Sequence, residues 1–241
     1  MQPPPPPVLG DLSPTPRSTV VRGRGRATTD RAALYDVLDS ALVCHLGVDV
    51  GHPLVVPTAF GWDPAGPDRD GTLYLHGSVA SRTVTAAQGA TICVTLTVVD
   101  ALVAARSAFH HSMNYRSAVI LGVGRLVEDP DEKAHALDLV VDHMVPGRAA
   151  TLRASTRKEL SATSVVAVSL HEASVKVRSG GPVDDPADVE PGTWAGHVPV
   201  RQVLDPAVGD ESTSMRPPPD IAELGSGRPW RGGGPVPVPA R

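Results

Sequence analysis

Two stretches of this sequence concentrate side chains that can do chemistry. In the first, Leu73-Tyr74-Leu75-His76-Gly77-Ser78-Val79-Ala80-Ser81-Arg82, an apolar strand runs into Gly77 and a helix is expected to open at Ser78. Free backbone N–H groups, the Ser78 and Ser81 hydroxyls and the Arg82 guanidinium would converge at a positive helix end, which suits a phosphate. The same residues also fit an ordinary capped helix with a surface arginine. No Walker A loop is present, and no G-x-G-x-x-G follows a strand.

The second stretch is Arg106-Ser107-Ala108-Phe109-His110-His111-Ser112-Met113-Asn114-Tyr115-Arg116-Ser117. It is expected to be a loop joining two apolar strands, and it is longer and more functionalised than a hairpin requires. A polar solvated loop is the plain alternative. Neighbouring side chains on a strand point to opposite faces, so His110 and His111 do not chelate one metal together. With His45 and His76 they are a reserve for a haem or metal site, and no metal-ligand set is assigned. Hydrolysis has no support: there is no G-x-S-x-G, and neither Cys44 nor Cys93 has the setting of a nucleophile.

The elements that must position these residues follow from periodicity. Leu34, Val37, Leu38 and Ala41 repeat at helical spacing, with a start near Thr29 or Asp30. From Leu42 the period becomes two, and a hairpin through Gly51-His52 returns along Leu54-Val55-Val56 toward Trp62. Turn formers fill 63–71, Thr72 to His76 is a strand, and 78–88 read as a helix stopped by Gly89. Ile92, Val94, Leu96 and Val98 alternate along a strand that extends toward Arg106. Ser117 to Val127 is another, with Gly122 and Gly124 marking bends or close backbone approach.

Asp129-Pro130-Asp131-Glu132 is a capping box with proline at N1, followed by an apolar stripe of Leu137, Val140, Val141 and Met144. Thr163 to Leu170 and Ser174 to Arg178 close the set. The expected class is α+β, mainly β: a small barrel with helices over its ends and one face.

Composition bounds the rest. Of the 25 prolines, seven precede residue 28 and twelve follow residue 181, so the foldable segment is central. Residues 1–27, with Pro3 to Pro7 and four arginines, are expected to be a disordered arm, and 206–241 a second one. Trp194, in Pro191-Gly192-Thr193-Trp194-Ala195-Gly196, is expected to dock on the barrel or on a planar ligand, whereas Trp230 is expected to be unordered. Two cysteines in β-like runs fit a reduced, cytoplasmic protein without disulfides. A net charge of −4 gives no reason to expect nucleic acid or a membrane surface as partner. No apolar run is long enough to span a bilayer, and no secretory leader is evident.

Together Leu73–Arg82, Gly89–Val99, Leu102–Gly122, Glu132-Lys133 with the following helix, and Trp194-Ala195-Gly196 resemble the pyridoxamine 5′-phosphate oxidase-like split-barrel flavoproteins. The likeness is strongest to the branch containing the Nim-type nitroimidazole reductases, and it spans about residues 28–205. The resemblance implies a six-stranded Greek-key split barrel that forms a homodimer, with FMN in the groove between subunits. It places Ser81 and Arg82 at the FMN phosphate, beside Gly77 and Ser78. It lays the backbone of Pro57, Thr58, Ala59 and Phe60 along the isoalloxazine edge. It puts Asn114, Tyr115, Arg116 and Ser117 near the phosphate and ribityl chain, and Trp194 near the ring.

His76 matches a flavin-proximal histidine of the Nim-type branch. It is the candidate acid, since its ordinary pKa lies near neutral, and a satisfied histidine at a strand end is the alternative. Many relatives carry lysine where Arg82 stands, and the vitamin B6-binding residues of the true oxidase have no counterpart here. Other relatives bind deazaflavin or haem. The activity implied is flavin-dependent reduction or oxidation of a small molecule, such as a nitroaromatic or quinone; the alternative is a non-catalytic flavin- or haem-binding carrier or sensor.

Overall fold

The computed structural model describes residues 10–13, 15–189, 192–226 and 230. Pro3 to Pro7, Pro191 and the glycine- and proline-rich stretch 231–241 lie outside the described residues. The elements are β1 (Ala27–Thr28), α1 (Arg31–Ser40), β2 (Cys44–Asp49), β3 (Pro53–Thr58), β4 (Phe60–Asp63), β5 (Thr72–Ser78) and α2 (Arg82–Ala87). They continue with β6 (Thr91–Ala104), β7 (Ser112–Val123), β8 (Arg125–Leu126), α3 (Pro130–Met144), α4 (Arg157–Ala162), β9 (Thr163–Ser169), β10 (Ala173–Arg178), α5 (Pro186–Val189), β11 (Gly196–Pro199) and α6 (Pro219–Leu224).

All strand pairing within the sheets is antiparallel. The strands form a larger sheet in the order β1-β10-β7-β6-β2-β3, with β11 beside β6, and a smaller one in the order β4-β5-β9-β8. This is the expected mainly β, split-barrel class, realised as two separate sheets rather than one closed barrel. The expected hairpin strand through Trp62 is broken at Ala59, where the chain leaves the larger sheet as β3 and enters the smaller as β4.

The core lies between the sheets. Leu46 and Val48 of β2, Ile92, Val94 and Leu96 of β6, and Ile120 of β7 face Leu73 and Leu75 of β5 and Val166 and Val168 of β9, with Leu34, Val37 and Leu38 of α1 closing the end. Tyr74, Val165 and Ala167, on the opposite face of the smaller sheet, pack under Ala136 of α3. The alternation read from the sequence therefore sorts each strand into two faces, as a period of two requires.

Several local expectations need correction. Ser78 remains in β5, paired with Thr163, and the N-cap of α2 is Ser81, whose hydroxyl accepts from the Val84 N–H. The helix is thus six residues long and starts at Arg82. Asp129 caps α3 as expected, accepting from the N–H groups of Asp131 and Glu132. Glu132 does not complete the box. Its carboxylate instead receives two hydrogen bonds from Arg125 and one from Tyr74, fastening α3 to the smaller sheet. The buried face of α3 is Ala136, Val140 and His143, so the stripe is rotated from the expected one and Met144 is exposed. Gly124 is a close approach: a Cβ there would clash with the Ala87 carbonyl oxygen, where the end of α2 meets the link between β7 and β8.

Particular described residues of the terminal segments pack on the fold. Leu12 is 3% exposed and belongs to the main core, Arg17 pairs with Glu172, and β1 adds to the edge of β10. Trp230 is 7% exposed, with its ring edge-on to His143. Both are tertiary contacts that local composition does not encode. Among the described residues no helix is long and apolar enough to cross a membrane.

One half-buried carboxylate makes stability pH-dependent. Asp39 of α1 lies beside Trp62 of β4, and neither Asp39 Oδ1 nor Trp62 Nε1 has a hydrogen-bond partner. Desolvation pushes the Asp39 carboxyl up to about 6, the nearby indole opposing and Asp36 reinforcing the shift. A raised acid pKa costs nothing below the unfolded value, where both states are protonated, and costs most once pH exceeds the folded value. Asp39→Asn is therefore expected to stabilise the fold above pH 6. The gain is about 1 kcal/mol after allowing for partial exposure, and it vanishes as pH falls below about 4. Urea unfolding at both pH values checks it.

Candidate functional site

The candidate residues fall into two groups, placed by different elements. The first surrounds the end of β5. Phe60 pairs with Leu75, so Ala59 and His76 flank that pair where the chain crosses between sheets. The Phe60 ring itself is buried against His143, with centroids 4.2 Å apart, so only its backbone is available to a ligand. Thr58 donates its hydroxyl to the Ala59 carbonyl, and Pro57 pairs with His45 of β2.

His76 is half-buried, and its Nδ1 is shielded without any hydrogen-bond partner. Burial lowers its pKa, which leaves the imidazole neutral with a free lone pair. Gly77 allows α2 to close on the strand: a Cβ would lie 2.7 Å from Val84 Cγ2. Ser81 is occupied as an acceptor by capping, but its O–H donor is not. Arg82 is exposed, and among the described residues it has no carboxylate partner.

The second group lies on β7 and corrects the expected loop. Only 105–111 connect the strands, with a 3-10 turn at Ala108–His110; Ser112 to Arg116 belong to β7. Alternation therefore splits the quartet Asn114 to Ser117. Asn114 and Arg116 share the face of the buried Ala118 and Ile120, whereas Tyr115 and Ser117 share the outer face of the larger sheet. A bulge at Asp100 keeps that sorting through β6, because pairing shifts between Val99 and Ala101.

Asn114 donates to the Gly180 carbonyl and accepts from Arg178, closing the end of β10. Arg116 holds Asp100 with two bonds at 3.1 and 2.9 Å, and reaches Asp36 at 2.6 Å and Ser40 at 2.8 Å on α1. Those carboxylates raise its pKa and keep it charged. Asn114 and Arg116 thus brace the protein, and their polar groups already have partners.

The outer face carries residues that sequence reading missed. Ser117 stands directly between Thr97 of β6 and Lys176 of β10, giving two hydroxyls and an ammonium in one cross-strand row. Pro57, His45 and Thr95 form another row on the same sheet. The available signal was the lone lysine in the alternating Ser174-Val175-Lys176-Val177, but which residues it would meet depended on strand order. Trp194 is 68% exposed and lies over Gly196, where a Cβ would touch the indole at 2.8 Å.

The cysteines are excluded as nucleophiles. Both are free thiols; burial pushes Cys44 up to about 12 and also raises Cys93.

Comparison with known proteins places this architecture. Residues 30–177 match the family profile described as pyridoxamine 5′-phosphate oxidase. The flavocytochrome Anf3 from Azotobacter vinelandii is 36% identical, with a TM-score of 0.80 over 88% of this chain and 98% of that one. A FAD- and haem-binding protein from Mycobacterium smegmatis is 33% identical, with a TM-score of 0.77 over 86% of this chain and 98% of that one. A 5-nitroimidazole antibiotic-resistance candidate from Bacteroides thetaiotaomicron is 25% identical, with a TM-score of 0.51 over 63% and 86%. No match was found among curated proteins. With more than half of its length matching that profile, the chain belongs to the pyridoxamine 5′-phosphate oxidase family.

Proposed function

We propose that this chain is a flavin-binding redox protein that carries FAD, with haem as a second group. The observation that supports it best is the likeness to a flavocytochrome and to a FAD- and haem-binding protein, each spanning 98% of the compared structure. FAD is preferred over the FMN and deazaflavin expectations on that ground.

The residues present fit both groups. Arg82, free of carboxylates among the described residues, and the Ser81 hydroxyl suit a flavin phosphate; Gly77 and Ser78 give the backbone beside them. Thr97, Tyr115, Ser117 and Lys176 line the outer sheet face, and the backbone of Pro57 to Phe60 runs past His76. Trp194 offers an uncovered indole face to a planar ring. His76, kept neutral because burial lowers its pKa, suits an iron ligand better than a proton donor at neutral pH. Asn114 and Arg116 serve by holding β7 in place. When bound, flavin and haem supply the electron-transfer chemistry, and the chain binds, orients and excludes water.

Val198, Leu102 and Met113 form one exposed cross-strand row beside Tyr115. A second copy of the chain covers that face in this reading, which makes the protein a homodimer.

The His76→Ala variant tests the haem assignment. Protein purified from cells supplied with haem precursor is expected to show a Soret band that the variant loses while it keeps its flavin. A Soret band of unchanged intensity in the variant removes His76 as ligand.

A further inference from the structure

The turn at Ala108–His110 and the segment leading into α5 are fastened to each other. The Arg106 backbone N–H and its Nη1 both donate to Asp184, at 2.8 and 2.7 Å, which meets the charge of that carboxylate. The clamp sets His110 Nε2 3.3 Å from Asp185 Oδ2, and Asp188 completes a trio whose donor atoms all lie within 4.8 Å of one another. Among the described residues no lysine or arginine pairs with Asp185 or Asp188, so two carboxylates face one imidazole without a compensating cation. Phe109, 90% exposed, abuts the His110 ring edge-on at 5.1 Å.

We propose that His110, Asp185 and Asp188 bind a divalent transition-metal ion. An imidazole with two carboxylates is a borderline donor set, which favours zinc-like ions over calcium or magnesium. Donors around tetrahedral zinc stand about 3.4 Å apart, and the His110–Asp185 separation of 3.3 Å already meets that spacing. All three donor atoms lie within 4.8 Å of one another, and zinc held by three protein donors takes water as its fourth ligand. The site is distinct from the His76 and Arg82 groups and does not depend on the flavin reading. Sequence spacing could not show it, because the aspartates stand 75 and 78 residues beyond the histidine.

Calorimetric titration of the chelator-treated full chain with zinc chloride tests the site. One equivalent is expected to bind with micromolar affinity. His110→Ala and Asp188→Asn are each expected to weaken it at least ~10-fold with flavin content unchanged, while the neighbouring His111→Ala binds like the parent. Absence of saturable binding, or equal losses in the His110 and His111 variants, overturns the assignment. Circular dichroism of each variant confirms the fold.

Discussion

An Arg82→Ala variant is expected to fold normally and to bind flavin about ten- to a hundredfold more weakly. Arg82 is exposed at the first turn of α2, and among the described residues no carboxylate holds it, so its removal leaves no buried charge behind. A charge-assisted hydrogen bond to phosphate contributes roughly 1.5–3 kcal/mol, which corresponds to that range in Kd. Arg82→Lys is expected to recover part of the affinity, since a point charge remains but the fork does not. Fluorescence quenching with FAD and with FMN measures it. Unchanged affinity in Arg82→Ala, with the loss appearing in Lys176→Ala, would move the phosphate to the Thr97–Ser117–Lys176 row. The same substitution at Arg116 is expected to act on stability, because it strands Asp36 and Asp100.

Trp230→Ala is expected to lower stability by roughly 2–4 kcal/mol, about 5–10 °C in Tm for a chain of this size. The indole is buried from a segment that sequence composition marks as polymer-like, and its backbone N–H donates to the Gln202 carbonyl at 3.1 Å. It covers His143, which bonds the Ala41 carbonyl at 2.8 Å and backs onto Phe60. The substitution therefore opens a cavity at the end of α3, next to the point where the chain crosses between sheets. Trp230→Phe keeps the ring and removes an N–H that has no hydrogen-bond partner, so it is expected to retain most of the stability. An unchanged Tm in Trp230→Ala would contradict this packing.

What the sequence made legible was local. The stripe of Leu34, Val37 and Leu38, the alternation of Ile92, Val94 and Leu96, and the Asp129-Pro130 start each follow from side-chain period and capping, and the structure places them as expected. What it hid was set by distant partners. The start of β7 at Ser112, set by its pairing with β6, makes Asn114 to Ser117 strand rather than loop and so splits them between two faces. Glu132 deserts the capping box because Arg125 and Tyr74, brought in by the smaller sheet, are better partners for its carboxylate. The rotation of α3 onto Ala136, Val140 and His143 follows from that anchoring and from the Phe60 and Trp230 rings. Resemblance named Arg116 as a ligand contact, while its geometry makes it a brace between α1 and the Asp100 bulge.

In the proposed function, flavin occupies the face and junction described by Arg82, His76 and the outer row of β7. The most direct test is the absorption spectrum of the full-length protein purified without added cofactor, followed by mass analysis of whatever is released on denaturation. A flavin spectrum and released FAD at close to one per chain are expected. A colourless protein that takes up neither FAD nor FMN at micromolar concentration would contradict it.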